Sequence, residues 1–451
     1  LAFEAIDEVP VDPATARVYE HGWQSWSPTT TYPVDGTSWR PVREPTKVMS
    51  YRPGKPGPER GFQGEGLLAV DPGDGGPVRL YATTNGVTEV ASIRAAFDDH
   101  RVLISTDGPV TPLTHDTFEG ALAGWGDAFA RAVGVTPLRP APTAWCSWYH
   151  YFTEVTEADV DENLAAFGKY DLPIDVVQVD DGWQSEIGDW LTLSDRFASV
   201  SGLVARIRDA GRRTGIWVAP FLVSQRSDTA REHPDWLLRD AAGNPVDAGF
   251  NWDAQLYALD TTHPDARGYL TEAFTQLRGY GIDYFKIDFI YAGALDGVRH
   301  DGTSPLEAYR SGVTLIREAI GDESYLLGCG APILPTVGLV DAMRVSADVA
   351  PTYEPWDGDM SQPSQRGAVM STVARAWQHG RFWVNDPDCI VARPEIERRE
   401  EWAAVVDRYG GLRASSDRIA ALDEWGLETT RRLLTDVPPP TPFFAIQEKQ
   451  G

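Results

Sequence analysis

Tyr284-Phe285-Lys286-Ile287-Asp288-Phe289 is a short apolar run that ends in a carboxylate, with a lysine two positions before it. An ionised aspartate is a poor choice in the middle of a buried strand, because it loses hydration and must be paired. At the C-terminal mouth of a strand it is well placed for chemistry. Lys286 and Asp288 alternate, so on a strand they face the same side. A lysine aimed into a barrel is expensive unless a carboxylate or a ligand oxygen takes it. About sixty residues on, Arg344-Val345-Ser346-Ala347-Asp348-Val349-Ala350-Pro351 repeats the arrangement of cation and carboxylate. Two carboxylates on different strands, facing one pocket, are the basic equipment of glycoside hydrolysis.

Outward from these two stretches the same texture recurs. Apolar runs ending in polar residues lie at Ala144 to Trp148, Ile174 to Asp181, Gly215 to Phe221, Tyr284 to Asp288, Tyr325 to Cys329, Ala342 to Asp348, Phe382 to Asp386 and Leu412 to Ser416. Helix-like segments separate most of them; Thr156 and Asp159, for example, suit a helix N-terminus. Eight such strands over about 275 residues match the size of a (β/α)8 barrel. No glycine-rich phosphate loop follows any strand, which speaks against a doubly wound nucleotide-binding sheet. The catalytic barrel is therefore expected over residues 143–435.

Residues 1–125 read differently. Short β-branched runs such as Val78-Arg79-Leu80-Tyr81-Ala82 and Val102-Leu103-Ile104-Ser105 alternate with turn clusters such as Asp71-Pro72-Gly73-Asp74-Gly75-Gly76-Pro77. That pattern is antiparallel β structure, a sandwich-like N-terminal domain. A helical stretch near Phe118 to Val133 leads to Pro137, Pro140 and Pro142, so 126–142 reads as a helical linker. Residues 436–451, with Pro438-Pro439-Pro440, read as a tail or linker. Leu1 in the place of a methionine reads as a processed or truncated start.

Composition narrows the function. The 451 residues carry 40 basic and 66 acidic side chains, a formal charge of -26, which argues against nucleic acid or an anionic membrane as partner. A neutral small molecule fits better. No apolar run approaches ~18 residues, the length a spanning helix needs. The eight histidines include no His-x-His or HExxH pattern, and Cys146, Cys329 and Cys389 are too few and too scattered for a zinc knuckle or a disulfide framework. No cofactor or metal is expected. No basic-then-apolar leader is present, so the reading is cytoplasmic, with secretion left open.

In a (β/α)8 barrel the active site lies at the C-terminal strand ends. The ends here offer Trp145-Cys146-Ser147-Trp148-Tyr149, Asp180-Asp181-Gly182-Trp183, Trp217-Val218-Ala219-Pro220, Lys286 and Asp288, Cys329-Gly330, Arg344 and Asp348, and Asn385-Asp386-Pro387-Asp388. Carboxylates and aromatics converge with almost no histidine, which suits carboxylate chemistry on a sugar. A single aspartate at such a place is more often a helix N-cap, and Asp386 and Asp388 read as a turn. Asp180 and Asp181 cannot both face one way on an ideal strand, so the strand must end or bend there.

Taken with His21-Gly22-Trp23-Gln24-Ser25-Trp26-Ser27 and Leu259-Asp260-Thr261-Thr262-His263-Pro264, these motifs resemble glycoside hydrolase family 36, the melibiase-type α-galactosidases. The resemblance runs over nearly the whole chain in the right order. It implies a retaining, exo-acting mechanism with Asp288 as nucleophile and Asp348 as general acid/base. It further implies that Lys286 and Arg344 hold sugar hydroxyls and that Asp180 and Asp181 bind O4 and O6. Cys329 would lie near the sugar 2-position, and Trp26, Trp217 and Trp145 are assigned to the substrate. A retaining acid must begin protonated, so Arg344 is expected to point at substrate rather than to pair with Asp348. His21 reads as structural. The same mechanism on α-N-acetylgalactosaminides or β-L-arabinopyranosides, transfer to a sugar acceptor, and a non-catalytic sugar-binding barrel remain alternatives. Set beside the large members of that family, the sequence reads as having a short N-terminal β domain and no C-terminal one, which leaves homo-oligomer formation open.

Overall fold

The computed structural model describes residues 2–41 and 44–442. Of the tail expected over 436–451, residues 443–451 lie outside the described residues. Eight parallel strands form one sheet: β1 Ala144–Cys146, β2 Val176–Val179, β3 Arg213–Val218, β4 Ile282–Ile287, β5 Tyr325–Gly328, β6 Ala342–Arg344, β7 Val384–Asp386 and β8 Ala414–Ser415. The hydrogen-bonded order is β7-β6-β5-β4-β3-β2-β1-β8. The seam between β7 and β8 closes through the amides of Gly411 and Leu412, which donate to Asn385 O, both at 3.0 Å. This is the (β/α)8 barrel expected from the eight apolar runs. Most strands stop before their run does, because the polar end of each run turns into a rim loop.

Side-chain period two sorts each strand into lumen and helix layer. On β4, Phe285 packs outward on Phe274 of the helix Pro264–Gly279, their rings 5.9 Å apart, while Tyr284 and Lys286 face in. The lumen is packed rather than hollow: Tyr284 and Tyr325 stack at 5.7 Å. Gly215 makes room for them, since a Cβ there would sit 2.8 Å from the Tyr284 ring. Between β5 and β6 the connecting helix is only Ile333–Thr336. The helix Phe118–Val133 packs on the barrel there, with Val133 against Gly338 and Phe129 against Phe382. It starts at residue 118, N-capped by Thr117 and closed by Gly134 at φ 80°, so the stretch 134–142 that follows it is not helical.

The N-terminal region forms two antiparallel sheets. One runs in the order Glu4–Pro10, Arg101–Thr106, Ser92–Asp98, Phe62–Glu65; the other in the order Thr30–Pro33, Arg17–Glu20, Leu67–Asp71, Val78–Thr83, Val110–His115. Leu67-Leu68-Ala69-Val70 lacks polar alternation because both faces are covered. Leu68 and Val70 join the core between the sheets, whereas Leu67 and Ala69 join the core shared with the helix 118–133 and the barrel.

Candidate active site

A cavity of about 360 Å³ opens at the C-terminal ends of the barrel strands, within the size range of small-molecule sites. Asp180, Asp181, Trp217, Lys286, Asp288 and Asp348 all line it. β2 ends at Val179, and Gly182 follows at φ 119°; this bend lets two consecutive aspartates reach one cavity.

Asp288 leaves β4 at the rim. Trp217 Nε1 donates to its Oδ2 at 3.0 Å, and Lys286 Nζ lies 3.8 Å from the same oxygen. Trp217 is the register partner of Lys286 on β3, which explains why both reach the same carboxylate. Burial pushes the Asp288 carboxyl above its ordinary value; Lys286 opposes this, and the nearby charge of Asp348 adds to it. Phe289, the next residue, sits at φ 51°, a left-handed conformation uncommon for a bulky side chain, and its amide donates to Asp288 Oδ1 at 2.8 Å.

Lys286 is held by Asp180 at 3.0 Å, and despite its burial the two aspartates keep it protonated well above the usual lysine range. Asp180 Oδ2 also accepts from Gln178 Nε2 at 2.6 Å and from Cys146 Sγ at 3.3 Å. Asp181 accepts from Gln184 Nε2 at 2.6 Å and from Trp252 Nε1 at 2.7 Å, and burial raises it to about 6.

Arg344 corrects the expectation. Its guanidinium is buried and pairs directly through Nη2 with Asp348 at 2.6 Å and, through the same nitrogen, with Asp388. The physical reason is burial: a guanidinium with 3% of its side chain exposed takes carboxylates wherever they lie within reach. Asp388 and Asp386 do not line the cavity; Asp388 is bound instead by Arg344, by the Tyr149 hydroxyl and by the Val349 amide.

Trp145 is a second correction. Cys146 faces the lumen, so its neighbour on β1 must face out. Trp145 packs 5.9 Å from Phe167 of the helix Glu157–Lys169 and donates to Asp417 O at 2.8 Å, remote from the cavity. Cys329 is wholly buried and does not line the cavity.

Trp26 reaches the cavity from the N-terminal region, edge-on to Phe289 at 4.9 Å. Its Nε1 is buried and, among the described residues, has no hydrogen-bond partner. Two devices pin its loop to the barrel rim. Ser25 exchanges hydrogen bonds with Ala331, its N donating to Ala331 O at 3.0 Å and its Oγ accepting at 3.1 Å. Arg375, fully buried after the helix Gln365–Ala374, donates to the carbonyls of Gln24, Ser25 and Ser27 and to Val345 O, just before Asp348. Gly330 at φ 52° is required where the two meet, since a Cβ would lie 2.8 Å from the Trp26 ring. His21 is buried against Glu65 O and Gln378, in keeping with a structural role.

Several lining residues escaped the sequence reading. Phe250, Asn251 and Trp252 come from the tip of a hairpin, Asp247–Asn251 and Ala254–Ala258, inserted after β3. Ser361, Gln362 and Pro363 come from the loop before the helix 365–374. Neither segment has an apolar period. Asn251 and Asp253, turn formers on either side of Trp252, are the local signal in the hairpin. Trp148 and Tyr149 belonged to a motif already singled out and also line the cavity.

A family model described as Melibiase matches residues 141–297. Among curated proteins, a bifunctional α-galactosidase/sucrose kinase of Mediterraneibacter gnavus is 30% identical over 167 residues, which is 34% of this chain and 17% of that protein. An α-galactosidase of Geobacillus stearothermophilus is 31% identical over 153 residues, 32% of this chain and 20% of that one. The matched stretch thus spans about a fifth of the length of these curated relatives. Among solved structures, the α-galactosidase TtGalA of Thermus thermophilus, in complex with p-nitrophenyl α-D-galactopyranoside, superimposes with a TM-score of 0.80 at 31% identity. The match covers 97% of this chain and 90% of that one. The family 36 α-galactosidase AgaA of Geobacillus stearothermophilus shares the fold, with a TM-score of 0.63 at 14% identity over 95% of this chain and 61% of that one.

Proposed function

The chain belongs to glycoside hydrolase family 36, the melibiase-type enzymes, and from that premise we propose that it is a retaining exo-α-galactosidase. The observation that carries the reading is the pair Asp288 and Asp348: both line one cavity, each is held by a cation from its own strand, and the charge of Asp348 acts on Asp288.

Asp288 is the nucleophile. Retention requires two carboxyls about 5–5.5 Å apart, one attacking the anomeric carbon and one protonating the departing oxygen. Trp217 and Lys286 orient the attacking carboxylate and stabilise its charge. Asp348 delivers the proton; after the aglycone leaves, it takes a proton from water, which releases galactose from Asp288. Its side chain is 30% exposed, which suits exchange with an incoming water. Asp181 and Asp180 receive O6 and O4, with Trp252, Gln184, Gln178 and Lys286 setting their orientation. Trp26 offers the cavity its ring, a flat apolar face for the sugar, while its Nε1 is buried. A site closed below by the packed lumen admits a terminal sugar only, hence exo action.

The test follows the anomeric proton of the first sugar released from p-nitrophenyl α-galactoside, by NMR. The α-anomer should appear first and mutarotate afterwards. β-Galactose as the first product would overturn the retaining assignment, and turnover of the β-L-arabinopyranoside in preference to the α-galactoside would overturn the sugar.

A further inference from the structure

Asp388 is one of the most deeply buried carboxylates in the barrel, 2% exposed, and takes no direct part in lining the cavity. Its Oδ2 accepts from Arg344 Nη2, from the Tyr149 hydroxyl and from the Val349 amide at 2.7 Å, and its Oδ1 from the Cys389 amide at 2.7 Å. Arg344 Nη2 is at the same time 2.6 Å from Asp348 Oδ1. Asp348 is therefore bracketed. The cation that binds its side chain and the amide of the residue after it are both anchored on Asp388. Asp388 itself is held at φ 104°, a conformation that a non-glycine residue adopts only when its surroundings impose it.

We propose that Asp388 is a positioning residue for Asp348: by sharing Arg344, it keeps the guanidinium from locking Asp348 in its ionised form, so that Asp348 can carry the proton of the first step. The proposal rests on the reading of Asp348 as general acid/base. One guanidinium between two carboxylates gives the cluster a net charge of minus one, so a proton is held among three groups rather than excluded by an isolated ion pair. With the Asp388 charge gone, Arg344 and Asp348 form a neutral pair and the proton is held less tightly. The charged and titratable groups facing Asp388 are Arg344 from β6, Asp348 beyond it, Tyr149 from the segment after β1, Asp386 on β7 and the adjacent Cys389. Burial pushes the Asp388 carboxyl up, and Arg344 and the Tyr149 hydroxyl act against this in favour of its charged form.

The experiment compares Asp388→Asn with the wild type in the pH dependence of kcat/KM on two substrates. Methyl α-galactoside needs a proton at its departing oxygen; p-nitrophenyl α-galactoside does not. For the methyl glycoside the basic limb should move by about one pH unit towards acid, a loss of about tenfold on that limb. For the nitrophenyl glycoside kcat/KM should change far less. Tyr149→Phe, which removes a donor to Asp388, should shift the methyl-glycoside limb in the same direction by less, and decides the matter alone if Asp388→Asn does not fold. Unshifted limbs, or equal losses on both substrates, would overturn the proposal. An Asp348→Ala control separates the two failures. If that variant too loses equally on both substrates, the acid assignment itself falls. If it discriminates between them while Asp388→Asn does not, Asp388 is only scaffolding.

Discussion

At the scale of single residues, Asp288 is the sharpest case. Replacing it with Ala or Asn removes the proposed nucleophile, so turnover should fall by several orders of magnitude. Azide should restore part of it and yield a β-galactosyl azide, identified by NMR; near-normal hydrolysis by the Asn variant would refute the assignment. Asp181 offers a test with a sign. Its carboxyl is raised from 3.8 to about 6 by burial, so the folded state binds that proton more tightly than the unfolded chain. The stability it contributes is complete below about 4 and is lost as the pH rises through 6. Asp181→Asn lacks this dependence, and the Gln184 amide can rotate to meet the new side chain. Relative to wild type its stability should therefore rise by up to about 3 kcal/mol as the pH goes from 4 to 7, and its melting temperature with it. Its kcat/KM on α-galactosides should fall, because one hydroxyl acceptor becomes an amide. A gap in melting temperature that is constant with pH would show that Asp181 is not the group held up by burial.

At the scale of elements, the loop 21–27 decides whether Trp26 is part of the cavity. Arg375 is a guanidinium without a carboxylate among its hydrogen-bond partners, and burial lowers it to about 10. Such a charge is tolerated because a ring of carbonyls turns its negative ends inward. Arg375→Met leaves those carbonyls without donors and frees the loop from the segment before Asp348. Stability should drop by about 1–3 kcal/mol in chemical denaturation. KM for α-galactosides should rise by a larger factor than kcat falls, since Trp26 lines the cavity and is proposed to contact the sugar rather than the reacting bond. A loss confined to kcat would mean that Arg375 acts through Val345 and Asp348 instead.

For the whole molecule, the charge of -26 sets how it meets its substrate. A neutral galactoside feels no long-range field, so kcat/KM should change by less than about twofold between low and high ionic strength. A galactoside with an anionic aglycone is repelled at low salt, and its kcat/KM should climb as salt screens the surface. Equal salt responses of the two substrates in stopped assays would show that the acidic surface lies away from the cavity mouth. No helix among the described residues is long and apolar enough to cross a membrane.

What the chain alone determined follows from local periodicity. An apolar run with a polar end is a barrel strand and its rim, and this holds for each of the eight strands. The alternation of Lys286 and Asp288 alone puts both into the lumen. The same rule, applied to Cys146, would have turned Trp145 outward; there the resemblance misled and the pleat was right. Asp180 and Asp181 demanded a bend, and it is there. Tertiary structure alone decided the rest, because those contacts join residues with no period in common. Arg344 has Asp348 four residues away and Asp388 on another strand's loop, and only the packing of that rim shows that it binds both. Trp252 comes from a hairpin and Gln362 from a loop, segments whose composition is that of any exposed turn. Their place over the cavity is set by what they pack against, which no local pattern encodes.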